Sequence, residues 1–538
     1  MLNLLTDSWL PVLRRDSGPY TIRLSQITEH HAENPIIAID WPRPDLRIAT
    51  LELLTGALAT FCPPEDGDEW LRKWHDPPPP EQLTEAFAPF AHAFELDGNG
   101  PRFLQDMEDL DSGAEPVERL LIEAPGGSTI SKNTDLLVHR DGVASLGRPA
   151  AAIVLYTFQS WAPAGGAGNR TGLRGGGPLV TLIVPGDAPT LWQLLWANVP
   201  ARENALKSRD FPHVFPWLAP AAGSKSGHVV TPENAHGLQC WWGMPRRIRL
   251  DFTALETPRA CGLTGEPDSV QVATWRQRPH GANYTDWGRI HPLTPHYQPK
   301  NSQEWLPVHP QPGGIGYRDW LGLVLKSEDG SRIPAAVVPE WRDVRGRDAG
   351  DPRARILAAG FDMDNMKARS FIESELPLPA APTEAARDAM DDLAKSLVES
   401  ANQVASLARN AVRDALFDRG ATVKADALPF NTVRERLWEQ TESSFFTALE
   451  KVARQPDTMG KTREEWLKML RPLAFSLFDE AAPLAPDTDQ KNAARIAQAR
   501  KFLGFALHGY GKAGNDLFGK LNLNLPETKQ VKPKGRGT

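Results

Sequence analysis

Leu376-Pro377-Leu378-Pro379-Ala380-Ala381-Pro382 divides this 538-residue chain into two unlike parts. Proline lacks a backbone donor and restricts the residue before it, so the spacing predicts a linker here. Eight of the 48 prolines and two of the 17 tryptophans follow residue 380. The front therefore reads as a turn-rich, mixed body and the back as helical.

Behind the linker, Met390, Leu393, Leu397, Ala401, Val404, Ala408 and Ala411 recur at steps of three and four residues. They predict a helix over about 383–417 with one apolar stripe. Thr432-x-x-Glu435 and Thr462-x-x-Glu465 read as capping boxes that open two more helices, the latter kinked near Pro472. A fourth helix is predicted from about Asp489 to His508, stopped by Gly509. The expected fold class is α+β: a large mixed α/β domain over 1–378, then an antiparallel four-helix bundle over 379–510. Residues 511–538 carry six Lys/Arg against two Asp/Glu and read as a basic, partly disordered tail.

Ahead of the linker, residues 47–62, 81–95, 147–161 and 192–197 read as helical, and 179–184 and 247–252 as strands. No alternating βαβ pattern appears, which argues against a Rossmann or barrel fold.

Lys+Arg number 60 and Asp+Glu 67, so the formal charge is 60 − 67 = −7. That excludes a basic coat whose affinity comes from bulk charge, but not a local basic patch. Apolar runs such as Ala150–Phe158 fall well short of a membrane span. The first residues carry no basic, secretory-type start, and three scattered cysteines do not suggest a disulfide framework. The expectation is a cytoplasmic protein.

The segment from Pro163 to Pro178, PAGGAGNRTGLRGGGP, holds seven glycines in sixteen residues. Such a loop brings backbone N–H groups close to a phosphate or a base edge. Ala164, Gly165, Gly166, Ala167, Gly168, Asn169 and Arg170 are its candidate contacts, with Arg170 and Arg174 as cationic forks. It lacks the Gly-Lys-Ser/Thr of a Walker loop. The dinucleotide fingerprint fails at Thr171, and a strand is expected where that fingerprint needs a helix. A nucleotide-binding enzyme that uses this loop is the alternative reading, and a pure assembly scaffold a weaker one. No catalytic signature is present.

Two further segments stand out. In Trp275 to Tyr284, Arg276, Arg278 and His280 interleave with aromatics, which suits contact with a nucleic-acid backbone. A metal on His280, His291 and His296 is disfavoured because the prolines between them imply extended loop. Around Asp362-Met363-Asp364-Asn365-Met366-Lys367 a calcium loop fails at Met366 and Lys367, and a hairpin with its tip at Asp364-Asn365 is predicted instead.

Taken in order, these residues resemble the CasA family, the large subunit of the type I-E CRISPR surveillance complex Cascade. The matching stretches are Leu4 to Val12, Ala162 to Gly176, His291-Pro292-Leu293-Thr294-Pro295 and Gly360 to Asn365. The resemblance implies a non-enzymatic subunit that needs no cofactor. It reads the protospacer-adjacent motif (PAM) in double-stranded target DNA from the minor groove. It implies a glycine loop at Ala164 to Arg170, a basic finger at Arg278 or His280, and a wedge at Asp364, Asn365, Met366 and Lys367. A mobile loop near the guide RNA would include Ser131, Lys132, Asn133 and Arg140. The implied partners are guide RNA, the backbone and small subunits of Cascade, and a helicase–nuclease effector; no membrane is involved. Some relatives carry a four-cysteine zinc site. Here Gly147-Arg148-Pro149-Ala150 stands at its first pair and Cys261-Gly262-Leu263-Thr264 at its second, so no zinc is expected, and packing by Leu146 and Leu263 would replace it.

Overall fold

The computed structural model describes residues 1–135, 140–166, 168–202, 204, 206–364, 366–418, 428–485 and 488–526. The chain forms two compact units, Met1–Ile315 with Gly322–Leu378, and Gly316–Leu321 with Pro379–Thr538.

The first unit mixes small antiparallel sheets with buried helices. Strands β1 (Leu10–Arg14), β2 (Ser17–Ile22) and β3 (Ile36–Ile39) form one sheet in the order β2-β1-β3. Helix α1 (Pro44–Phe61) opens on proline at its first position, where the missing N–H is no loss. It is buried on all sides, which explains its lack of a polar face. Helix α2 (Arg148–Trp161) is likewise buried and packs against α1. Strand β4 (Val180–Pro185) has all six residues buried, and helix α3 (Leu191–Trp196) follows behind a Thr190–Gln193 capping box. Strands β5 (Arg247–Ala260) and β6 (Pro267–Arg278) form a long ribbon, with the short strands Glu115–Pro116 and Leu146–Gly147 paired to β6. Strands β7 (Ala354–Asp364) and β8 (Lys367–Leu378) form a hairpin joined to β4 in the order β8-β7-β4.

Strand β8 runs through Pro377, so the linker begins only after Leu378. Pro377 pairs with Arg355 on a strand at the sheet edge, where a missing donor is tolerated.

The second unit holds five helices among its described residues: α4 (Glu384–Leu416), α5 (Leu428–Arg454), α6 (Met459–Ala481), α7 (Gln490–Leu507) and α8 (Gly511–Lys520). Rather than four equal partners, α4 packs against each of the other four. Its buried face is wider than one stripe, since Ala394, Val398, Ala405 and Val412 are also enclosed. The alanines let neighbours approach on several sides. Helix α8 lies in the stretch read as tail, with Leu517, Phe518 and Leu521 buried. Residues 527–538 lie outside the described residues.

Both expected capping boxes fall inside helices. Helix α5 begins before Thr432, and α6 begins at Met459, with Thr462 Oγ1 donating to Thr458 O at 3.0 Å. A threonine can satisfy itself on the carbonyl four residues back, so the Thr-x-x-Glu pattern alone does not mark a start. Helix α6 also continues through Pro472.

The hexapeptide Gly316–Leu321 joins this helical unit from the far side of the linker. Tyr317 is fully buried; it stacks on Phe445 at 4.5 Å and meets Trp438 edge-on at 4.8 Å. Its hydroxyl shares a 2.5 Å hydrogen bond with Thr441 Oγ1, and Arg318 pairs with Glu435.

No helix among the described residues is long and apolar enough to cross a membrane.

Candidate functional site

The glycine segment leaves the end of α2 and returns to it, because the Gly177 N–H donates to Trp161 O at 2.8 Å. Its seven glycines fall into two groups. Those from Gly172 to Gly177 sit against neighbouring chain. At Gly177 (φ +65°), a Cβ would lie 2.7 Å from Phe361 O and 2.9 Å from Met363 Cε. These glycines allow the segment to pass close to the β7–β8 hairpin.

The front group is different. Gly165 donates to Asn169 O at 3.1 Å and Asn169 to Gly166 O at 2.8 Å, which makes a tight turn. Gly165 and Gly166 are exposed, while Ala164, Gly168, Asn169 and Arg170 are half-buried. A Cβ on Gly166 (φ +69°) would meet nothing within 4 Å. Ala167 lies outside the described residues. The element after the segment is the strand β4, which leaves no helix N-terminus there for a pyrophosphate.

His280 joins the second candidate segment to this turn. Its N–H donates to Gly168 O at 2.9 Å, and its carbonyl accepts from Ser224 N–H at 3.0 Å. Arg170 Nε donates to Ser224 Oγ at 3.1 Å, which closes the circuit. A Cβ on Gly168 (φ +80°) would stand 2.6 Å from His280 Nδ1, an atom that is buried and has no hydrogen-bond partner among the described residues.

Arg276 and Arg278 are not in loop. They end strand β6, opposite Arg249 and Arg247 respectively. Side chains two apart on a strand share a face, so these four arginines line one face of the ribbon. Ile248, Leu250 and Trp275 are buried on the other. The basic face is nonetheless neutralised. Arg247 pairs with Asp106 at 2.5 Å and Glu108 at 2.7 Å, and Arg249 with Asp109 at 3.2 Å. Arg276 pairs with Asp251 at 3.1 Å, and Arg278 lies 3.8 Å from Glu108. The acidic run Asp106-Met107-Glu108-Asp109 was missed by the sequence reading. Its signal was available as three acids in four residues, but nothing local ties it to arginines about 140 positions away.

The final ladder pair of the hairpin is Asp364 with Lys367, so Asp364, expected at the tip, instead ends strand β7. Met366 has φ +67° and is 61% exposed, unusual for so large an apolar side chain. Asn365 lies outside the described residues. Below the tip, Arg369 grips the buried Asp362 with bonds of 3.0 and 2.6 Å and lies 3.9 Å from Asp364. The root is aromatic: Phe361 and Phe371 meet edge to face at 5.0 Å, and Trp161 stacks on Phe371 at 6.1 Å. The hairpin root and the glycine segment thus share the end of α2.

Arg174 is not a free cationic fork. It is buried and paired with the equally buried Glu52. Tyr156 Oη and Trp161 Nε1 each donate to Glu52 at 3.3 Å, and Arg174 Nη1 donates to Thr294 Oγ1 at 3.3 Å. His291 Nε2 stands 3.7 Å from Glu52 Oε1. Burial, then Arg174 and His296, hold the His291 imidazole well below its usual pKa, so it is neutral. Burial likewise lowers His296 to about 4. Among the described residues, no group of three or more His, Cys, Asp or Glu side chains is placed to hold a metal ion.

At the two stretches read against a four-cysteine site, Gly147 and Cys261 are adjacent: a Cβ on Gly147 would lie 3.6 Å from Cys261 Cβ. The join is made by charge as well as by the buried Leu146. Arg148 pairs with Asp268 at 2.7 Å, and its N–H donates to Asp268 Oδ2 at 2.8 Å. Leu263, expected to pack here, is only half-buried.

In the stretch read as a mobile loop, a short helix Gly127–Ser131 is followed by exposed Lys132 and by Asn133 at φ +50°. Arg140 folds back on its own loop, with bonds to Asp135 at 2.5 Å, Asn133 Oδ1 at 3.0 Å and Ile130 O at 3.2 Å. That guanidinium holds the Asp135 carboxyl below the usual carboxylate range. Residues 136–139 lie outside the described residues.

A family model described as CRISPR-associated protein Cse1 matches residues 3–477. Solved structures with the same fold include CasA from Thermus thermophilus, with TM-score 0.67 and 17% identity over 94% of this chain and 98% of that one. Cse1 from Acidimicrobium ferrooxidans gives TM-score 0.64 and 18% identity over 97% and 98%. A chain of a CRISPR RNA-guided surveillance complex gives TM-score 0.64 and 15% identity over 94% and 99%.

Proposed function

Because this chain belongs to the CRISPR-associated Cse1 family, the large subunits of type I-E Cascade, we propose that it reads a PAM in duplex DNA and starts its unwinding. The turn Ala164 to Arg170 enters the minor groove, whose degenerate edge pattern permits readout by backbone groups. The hairpin tip, with Asp364, Asn365, Met366 and Lys367, then separates the first base pairs so that guide RNA can pair with the target strand. The subunit acts without catalysis, beside the backbone and small subunits, and helps recruit the helicase–nuclease.

The observation that carries this reading is the 2.9 Å bond from His280 N–H to Gly168 O, which unites two candidate segments 112 positions apart. Of the two finger candidates, His280 has the stronger support, since it touches the turn while Arg278 is drawn toward Glu108. The exposed Met366 supports a wedge, since an apolar tip can enter a base step.

The test is R-loop yield on PAM-bearing DNA with the assembled complex. Asn365→Ala and Met366→Ala should each lower it while leaving assembly intact. Unchanged yield in both variants would remove the wedge assignment.

A further inference from the structure

Arg246 immediately precedes β5, and its side chain is buried. Its guanidinium spans the two ends of the exposed turn: Nε donates to Arg170 O at 3.0 Å, and Nη2 donates to Pro163 O. Its own backbone is held on both sides by the fully buried Gln159 of α2. The Arg246 N–H donates to Gln159 Oε1 at 3.1 Å, and Gln159 Nε2 donates to Arg246 O at 2.9 Å. The guanidinium lies over the Phe158 ring at 4.6 Å. It forms no ion pair among the described residues, and burial lowers its pKa to about 10. A buried cation without a counter-ion is costly, so two carbonyl bonds and a ring face are a weak structural reason for it. Placed under a loop that meets polyanionic DNA, its uncancelled charge has a use.

We propose that Arg246 is a positioning residue: it closes the turn Pro163–Arg170 from beneath and fixes which backbone groups that turn offers to the groove. The proposal rests on the reading of this turn as the PAM reader. Arg246 acts through the turn and need not touch DNA. Its effect should therefore fall on discrimination between sequences, while the number of phosphates contacted stays constant.

Arg246→Lys is the informative variant, because lysine keeps the charge but lacks the planar fork that reaches both carbonyls. Duplex affinity is measured with the assembled complex on PAM-bearing and PAM-scrambled DNA over a salt series. The expected result is a fall of about tenfold in the ratio of the two affinities, with the slope of log affinity against log salt unchanged. A ratio within twofold of wild type overturns the proposal. If the wild-type complex itself shows no PAM preference, the reading of the turn fails. The closure is then judged by hydrogen exchange on the chain. The Gly165 and Asn169 amides should exchange at least about tenfold faster in Arg246→Lys, with β4 unchanged; equal rates overturn it. If Arg246→Lys does not fold, the wild-type amides decide. Protection at Gly165 and Asn169 supports the closure, and exchange at unprotected rates overturns it.

Discussion

Gly168→Ala tests the geometry of the turn most directly. Two costs add. The first is backbone: at φ +80° an L-residue is disfavoured by about 1 kcal/mol. The second is steric. The new Cβ would sit 2.6 Å from His280 Nδ1, and ordinary contact begins at 3.4 Å, so the ring must retreat by 3.4 − 2.6 = 0.8 Å. The retreat must come from its side-chain torsions, because the backbone cannot follow. His280 is bonded through its own N–H to Gly168 and through its carbonyl to Ser224, and it already holds φ +63°. Overfilling of this kind costs about 1–3 kcal/mol, for a total of about 2–4. Gly166→Ala is the control, since φ +69° with open space around it leaves only the backbone cost of about 1 kcal/mol. Urea denaturation of the full chain should rank Gly168→Ala below Gly166→Ala by at least about 1 kcal/mol. Equal stabilities within about 0.3 kcal/mol would refute the claim that His280 and Gly168 are locked together. In the assembled complex, Gly166→Ala should also weaken PAM-duplex binding, because its methyl would stand on the open side of the turn proposed to meet the groove.

Arg174→Met strands the buried Glu52 charge and should cost about 3–5 kcal/mol in denaturation, with more than half recovered by adding Glu52→Gln. Stability should also fall in acid. Unfolded His296 titrates near 6.5 and the folded residue near 4, so the unfolded chain binds more protons between those values. The contribution is complete above about pH 6.5 and lost as pH falls toward 4, the loss reaching about 2 kcal/mol at pH 5; His291 adds in the same direction. His296→Gln should remove about one proton from the slope of stability against pH, and an unchanged slope would contradict the assignment. Tyr317→Ala should destabilise the helical unit by about 3–5 kcal/mol and Tyr317→Phe by about 1, read by its circular-dichroism transition.

Much of this molecule is written locally. The change in proline and tryptophan density marks where the mixed body gives way to helices. The three- and four-residue rhythm from Met390 to Ala411 specifies α4, and the turn-favouring residues around 364 announce the β7–β8 hairpin, whose ladder closes at Asp364 and Lys367. Such features are legible because their physics acts over a few residues: a missing donor, a helical period, a turn conformation. The glycine segment was legible as a loop for the same reason.

Tertiary structure decided what the loop and its neighbours are. It divided the seven glycines into a packed group and an exposed turn. It took Arg174 out of solvent to meet Glu52, 122 positions away, and covered Arg247 with Asp106, 141 positions away. It also drew Tyr317 into the helical unit and set Arg246 beneath the turn. Charge and composition cannot foretell these pairings, because an arginine reads the same whether it faces water, a carboxylate or two carbonyls. Only long-range packing determines which partner reaches it, and with that whether its charge is spent within the fold or left for a ligand.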